Sequence, residues 1–222
     1  MISHLALIMD GNRRWAKEQG LFSWQGHRQG AKVVEMAIAY CIERGIKYLT
    51  LYTFSLENLQ REEQEKSYLF SLIIESNARS SDFIKNGIKV QFIGDLSLLP
   101  ENVQRSCYKL MEETSLGEKL ICNFLVCYGG QQEILAAVQK LINSGERKIN
   151  KDLFKSYLWL GSIPDPEIII RTGGVQRLSN FLLFQAAYSE IRFLDTFWPA
   201  LTKDLLDATV QGCLLSKKNF GK

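Results

Sequence analysis

Short, continuously apolar runs alternate along the chain with longer segments whose apolar residues recur at helical spacing. Leu5–Met9 (LALIM) is the first such run and reads as a buried strand. In RQGAKVVEMAIAYCIERG, Ala31, Val34, Ile38 and Cys41 or Ile42 share one stripe, and Gly45 stops the helix. KYLTLYTF is a second strand. A long helix is then predicted from about Glu62 to Lys85, with Gly87 just past its end. The order continues with strand IKVQFIG, helix 100–113, strand KLICNFLVCYGG, helix 132–143, strand EIIIRT and helix 203–213. Strands that are apolar throughout, rather than at every second position, belong to a parallel sheet covered on both faces. The predicted fold is therefore α/β: a central, mostly parallel sheet flanked by helices. Ligands of such folds bind beyond the carboxyl ends of the strands.

Composition narrows this further. The 222 residues include only four Pro, and no Ser/Gly-rich linker, repeat or low-complexity tract divides them, so 1–222 reads as one domain. Apolar residues at 46% and charged residues at 23% are ordinary for a globular chain. A net charge of +3 is too small for bulk nucleic-acid binding. No apolar run approaches the ~20 residues of a membrane span. The start MISHLALIMDG has neither the basic region nor the cleavage site of a signal peptide. The five Cys are odd in number and form no C-x-x-C pair, which argues against a disulfide framework and a zinc site. They are expected to be reduced core thiols of a cytoplasmic protein.

The candidate chemistry lies where the strands end. Asp10-Gly11-Asn12-Arg13-Arg14-Trp15 follows the first strand. Ser55-Leu56-Glu57-Asn58 follows the second, with Arg61 close behind. Gly129-Gly130 follows the LVCY strand, and Arg171-Thr172-Gly173-Gly174, then Arg177, Ser179 and Asn180, follow the last. His27 and Arg28 are placed at the start of the first helix. Taken singly, an Asp-Gly is a turn, an Arg pair a solvated face, a Gly-Gly a bend, and QREEQEK a helix start with acids in its first turn. His4, opening a strand, reads as structural. Repetition points further, because at least three strand ends combine Arg with Gly, Ser or Asn. Arg offers planar forks to phosphate oxygens, and Gly lets the backbone approach an anion. One acid among such groups, Asp10, suits a Mg²⁺ bridged to phosphate, and Glu190 is a second candidate metal ligand. Neither G-x-x-x-x-G-K-[ST] nor G-x-G-x-x-G occurs, which disfavours a nucleotide. The acid pair D-D-x-x-D of helical trans-prenyl synthases is absent too.

Three long blocks in order, HLALIMDGNRRWAKEQG…GHRQGA, LTLYTFSLENLQR and IIIRTGGVQRLSNFLLFQAAYSEIRF, resemble the cis-prenyltransferases, the family of undecaprenyl diphosphate synthase. The likeness covers nearly the whole chain. It implies a parallel sheet with an apolar tunnel. It also implies sequential condensation of isopentenyl diphosphate onto an allylic diphosphate, farnesyl diphosphate, to a long cis-polyprenyl diphosphate of the undecaprenyl kind that serves cell-wall synthesis as a lipid-carrier precursor. By position, Asp10 matches the Mg²⁺-coordinating Asp and Glu190 a second metal-associated acid. Gly11, Asn12, Arg13, Arg14, Trp15 and His27 match allylic-substrate contacts, although Arg13 stands where many members have Gly. Ser55, Leu56, Glu57, Asn58 and Arg61 match the second block, where Asn58 is the candidate for positioning proton loss. Arg171, Arg177, Leu178 and Ser179 match the isopentenyl-diphosphate pocket.

The chain also departs from the pattern. Leu59 replaces a usual Trp, Ser23 stands where some members have a phosphate-binding Arg that Arg13 or Arg28 would replace, and Val175 replaces a Glu. The end KKNFGK is a weakened form of a basic tail. Tyr68, Leu69, Leu72 and Ile73 are expected along the tunnel wall, with NARSSD as a polar interruption beyond them. FLLFQAAYSEIRFLDTFWP is expected to pair two copies as a homodimer. Transient membrane contact would release the product, and no nucleic acid is expected as a partner. Two rivals remain in view: a non-catalytic partner subunit, which typically lacks the acid found here at Asp10, and an RNA- or phosphoprotein-binding module, given the Arg clusters.

Overall fold

The computed structural model describes residues 2–215. The chain runs β1 (His4–Ile8), α1 (Asn12–Glu18), α2 (Ser23–Glu43), β2 (Tyr48–Ser55), α3 (Glu63–Glu75), α4 (Ser80–Lys85), β3 (Ile88–Ile93) and α5 (Glu101–Glu113). It continues with β4 (Leu120–Tyr128), α6 (Gly130–Ser144), α7 (Lys151–Tyr157), β5 (Ile168–Arg171), β6 (Glu190–Phe193) and α8 (Lys203–Leu215). The strands form one sheet in the order β3-β4-β2-β1-β5-β6, and every neighbouring pair is parallel.

Every residue of β1 is buried, as a central strand covered on both faces requires. Its side chains alternate between two cores: Leu5 and Leu7 join the larger one with α2, α5 and α8, whereas Ala6 and Ile8 join a smaller one with Leu160, Phe181 and Leu182. β5 repeats the division, with Ile168 and Ile170 on one side and Ile169 on the other. The five cysteines are all buried and none is in a disulfide. His4 is structural. It is 1% exposed and bonded through its ring to the Pro164 carbonyl (2.6 Å) and Thr50 Oγ1 (2.7 Å).

Several elements differ from the sequence expectation, each for a local reason. The predicted helix 62–85 is broken. α3 ends at Glu75, a 3₁₀ turn covers Ser76–Arg79, and α4 resumes at Ser80. The break coincides with NARSSD, where Ser76 Oγ donates to the Ile73 carbonyl (2.6 Å) and Asn77 Nδ2 to the Ser106 carbonyl (3.2 Å). Such side chains compete with the helical ladder. α1 and α7 are seven residues each, and neither buries more than one residue, so no apolar period announces them. α2 begins at Ser23, which places His27 a full turn inside the helix instead of at its start. β6 is a short edge strand of half-buried residues. The aromatic run 181–199 is largely core: Phe181 and Leu182 are fully buried and Trp198 is 1% exposed, while Leu183 and Tyr188 face outward. The tail KKNFGK lies outside the described residues.

Candidate active site

β1 is the switch point of the sheet, with β2 on one side and β5 on the other. Loops leaving β1 and its two neighbours therefore open a crevice at their carboxyl ends. Asp10 stands there. Its carbonyl accepts from Thr172 Oγ1 (2.7 Å) and Trp198 N (2.9 Å), which fixes the backbone. Its carboxylate accepts from Arg171 Nη2 (2.9 Å) on one oxygen and Arg14 Nη2 (3.1 Å) on the other. Arg14 also lies over the Phe197 ring, 5.0 Å from its centre. The two loops meet so closely that a Cβ on Gly173 (φ +93°) would come 2.7 Å from Arg14 Nη2 and 3.1 Å from the Asp10 carbonyl oxygen. Glycine there avoids both that clash and the cost of a left-handed backbone.

Arg171 is 4% exposed. Its Nη1 donates to Ser179 Oγ (2.8 Å) and to the Arg177 carbonyl, and its buried Nε has no hydrogen-bond partner among the described residues. A buried donor left open is costly unless something accepts from it, and an anion in the crevice would. Arg177 Nε donates to the same Ser179 hydroxyl (3.3 Å). Ser179 and Asn180 both hold left-handed backbone, at φ 51° and 64°. That strain is retained where neighbours over-determine it. Asn180 Oδ1 accepts from Gln131 N (2.9 Å), and its Nδ2 donates to Glu57 (3.2 Å) and Gln132 (3.1 Å).

Beyond β2, a bulge between Tyr52 and Ser55 re-aims the strand end. Asn58 Oδ1 accepts from Ser55 N (3.2 Å) in a turn that sets both residues on the crevice. Burial opposes ionisation of Glu57, but hydrogen bonds from its own amide, Ser55 and Asn180 outweigh it and hold its pKa below the usual carboxylate value. On the α2 side, burial lowers the pKa of His27 despite its contact with Glu65.

A cavity of about 810 Å³ starts at this crevice, where Asp10, His27, Asn58, Arg171, Arg177 and Ser179 line it. It passes beneath α2 and α3 toward β4 and β3, where Leu69, Leu72, Ile73, Phe83, Leu110 and Phe124 form an apolar wall. A second hollow of about 690 Å³ shares Asp10, Asn12, His27 and Arg61 and adds Gly11, Arg13, Arg14 and Ser23.

Thus most of the expected residues converge: Gly11, Asn12, Arg13, Arg14, Ser23, His27, Ser55, Glu57, Asn58, Arg61, Arg171, Arg177 and Ser179 line one hollow or both. Others do not. Trp15 is half-buried on α1 and lines neither, Leu56 and Leu59 pack on the larger core, and Leu178 packs on the smaller. Tyr68 is also absent from the cavity wall, its ring 5.8 Å from that of Trp24. Glu190, the second candidate metal ligand, lies apart from Asp10 within the chain. It opens β6 in register with Ile168, itself beside Leu5, so it sits at the amino end of the sheet. Asp10 is five residues further along β1, roughly 15 Å at strand rise. Glu190 pairs instead with Arg192 (2.7 Å). Sequence reading named Thr172 only as part of the Arg-Thr-Gly-Gly stretch after the last strand, and it missed Tyr52, Trp198, Phe197 and Glu65, which nothing local marks.

No group of three or more His, Cys, Asp or Glu able to hold a metal occurs among the described residues. Mg²⁺ often takes one or two carboxylates, keeps water and completes its shell from substrate phosphates. Each Asp10 oxygen accepts one arginine N–H and retains lone-pair capacity, so Asp10 beside a bound diphosphate fits that habit.

Residues 8–221 match the family described as "Putative undecaprenyl diphosphate synthase". An isoprenyl transferase of Fusobacterium nucleatum is 40% identical over 98% of this chain and 95% of its own length. A Methanopyrus kandleri tritrans,polycis-undecaprenyl-diphosphate synthase (geranylgeranyl-diphosphate specific) is 41% identical over 99% of this chain and 84% of its own. Among solved structures, lavandulyl diphosphate synthase from Lavandula x intermedia, in complex with dimethylallyl diphosphate, superposes with a TM-score of 0.94 at 27% identity, covering 100% of this chain and 98% of that one. A probable undecaprenyl diphosphate synthase from Campylobacter jejuni gives 0.85 at 31% identity over 100% and 99%. With its parallel sheet, its arginine-lined crevice and a sequence match across almost its entire length, the chain belongs to the undecaprenyl diphosphate synthase family of cis-prenyltransferases.

Proposed function

We propose that this prenyltransferase elongates farnesyl diphosphate by successive cis additions of isopentenyl diphosphate, giving a long polyprenyl diphosphate of the undecaprenyl class for use as a cell-wall lipid carrier. The observation that carries the reading is the cavity itself: arginines, carboxylates and a histidine at one end, and a largely apolar wall, interrupted by Glu35, Glu75, Ser76 and Arg79, at the other. A diphosphate head and a lengthening hydrocarbon tail need those two environments in one space. Each buried CH₂ favours the growing chain by about 0.8 kcal/mol.

Arg14 and His27 bind the allylic diphosphate. Arg171, Arg177 and Ser179 hold isopentenyl diphosphate, with the open Nε of Arg171 as a ready donor. Asp10 holds Mg²⁺, which when bound neutralises charge developing on the leaving diphosphate. In each addition the allylic C–O bond breaks, its electrons leave with the diphosphate, a new C–C bond forms to the isopentenyl double bond, and one proton passes from the isopentenyl unit to an oxygen of the released diphosphate. The fixed arginine donors stabilise the departing oxygens, and orientation of the two substrates supplies a further large part of the acceleration. An amide is no base, and the Asn58 oxygen is engaged by Ser55, so Asn58 positions the proton's departure and does not take it. We further read the protein as a cytoplasmic homodimer that touches the membrane only to deliver product. No helix among the described residues is long and apolar enough to cross one.

Purified chain, Mg²⁺, farnesyl diphosphate and labelled isopentenyl diphosphate should yield long-chain product by chromatography. Running geranylgeranyl diphosphate in parallel tests the starter, since one relative is named for it. Absence of metal-dependent incorporation with either starter would reject the proposal and favour a non-catalytic partner subunit.

A further inference from the structure

One carboxylate that lines neither hollow gathers three cationic or donor groups that do. Glu65, in the first turn of α3, has a side chain only 13% exposed. One of its oxygens accepts from Arg61 Nη1 (2.9 Å) and His27 Nε2 (3.1 Å), and the other lies 3.6 Å from Arg13 Nη1. Arg13, His27 and Arg61 all line the second hollow, so Glu65 stands behind them. Because a carboxylate only accepts, the proton of the histidine contact sits on Nε2. Arg61 spends one N–H on Glu65 and Arg13 only faces it as an ion pair, so both keep most of their five N–H groups for whatever fills the hollow.

The same wall contains Ser23, which brings no charge. Of the two arginines able to compensate, Arg28 is exposed and lines neither hollow, whereas Arg13 reaches in. Arg13 is also the most exposed of the group, with 61% of its side chain accessible. A long side chain in that state loses considerable rotamer freedom on meeting a ligand, and a fixed carboxylate behind it removes part of that loss beforehand.

We propose that Glu65 is a positioning residue: it draws Arg13 together with His27 and Arg61 into one cradle for the terminal phosphate of the allylic substrate, so that Arg13 supplies from α1 the charge that Ser23 does not supply from α2. This rests on the diphosphate site described above.

Titration calorimetry with inorganic diphosphate and Mg²⁺ tests it. Arg13→Ala should weaken binding roughly tenfold or more, the scale of a charge-assisted contact. Glu65→Gln should weaken it several-fold, and Arg13→Ala should then cost little in the Glu65→Gln background, a non-additive cycle. Ser23→Arg should restore affinity to the Arg13→Ala protein. In turnover, Glu65→Gln should raise KM for the allylic diphosphate with kcat and the isopentenyl KM nearly unchanged, and Glu65→Asp should recover part of it. A purely structural Glu65 would disturb both KM values together. Glu63→Gln, on an exposed carboxylate of the same turn paired with Lys66, should behave as wild type. Wild-type affinity in Arg13→Ala, additive losses, or tighter binding by Glu65→Gln would overturn the inference while leaving the site intact. Failure of the wild-type protein to bind diphosphate would overturn the site assignment and this inference with it.

Discussion

Asp10→Asn isolates the charge at the centre of the site while keeping its shape. In the native protein two guanidinium groups share this carboxylate, Arg171 at 2.9 Å and Arg14 at 3.1 Å. Their settings differ: the Arg171 side chain is 5% exposed and that of Arg14 is 45% exposed. Removing one partner of a fully buried pair costs about 3–5 kcal/mol, because the remaining charge is stranded. Asp10 itself is 29% exposed, so water screens part of this, and the Asn oxygen still accepts one hydrogen bond. The expected loss of stability is therefore about 1–2 kcal/mol, or roughly 2–8 °C in Tm for a chain of this size. The effect on turnover should be larger, since a transition-state charge-stabilising contact is worth about 10²–10³ in rate. Scanning calorimetry and isopentenyl incorporation on one preparation separate the two effects. Incorporation within tenfold of wild type would refute the metal-holding role. An unchanged Tm would refute the claim that Arg171 depends on this carboxylate.

Other outcomes can be checked with similar means. Leu72→Trp or Ile73→Trp should shorten the product on chromatography while the first condensations continue, and an unchanged product ladder would remove these residues from the tunnel wall. Gly173→Ala should depress turnover far more than Tm, because its Cβ displaces Arg14 from Asp10. Arg171→Ala should raise the isopentenyl KM more than the allylic KM, and steady-state kinetics with each substrate varied would show it. Burial depresses the His4 pKa to about 4, against about 6.5 unfolded. Between those values the unfolded chain binds the extra proton, so this residue's contribution to stability is complete above about pH 6.5 and is lost as pH falls toward 4. Denaturation of wild type against His4→Gln across that window should show the difference narrowing toward low pH.

The parallel sheet was readable because Leu5–Ile8 of β1 and Ile168–Ile170 of β5 are runs of consecutive apolar residues, as strands buried on both faces are. The crevice was readable because Asp10, Asn58 and Arg171 each lie at or just beyond the carboxyl end of a strand, where a parallel sheet presents its loops. α1 and α7 escaped notice because short helices resting on one buried residue or none carry no period. The separation of Glu190 from Asp10 within the chain was not readable for a related reason: it is a matter of strand register, and no local pattern encodes register between segments that far apart in the chain.

The chain by itself thus determined which segments are strands and which end in Arg with Gly, Ser or Asn, since hydrophobic period and side-chain type are local properties. Only the folded structure decided that Glu65 stands behind Arg13, His27 and Arg61, that Leu56, Leu59 and Leu178 turn to the cores, and that the polar crevice continues into the apolar cavity. Apart from the Arg61–Glu65 pair on one helical turn, those relations join residues separated by tens to more than a hundred positions. They come into being when helices pack across the sheet and bring side chains within contact distance.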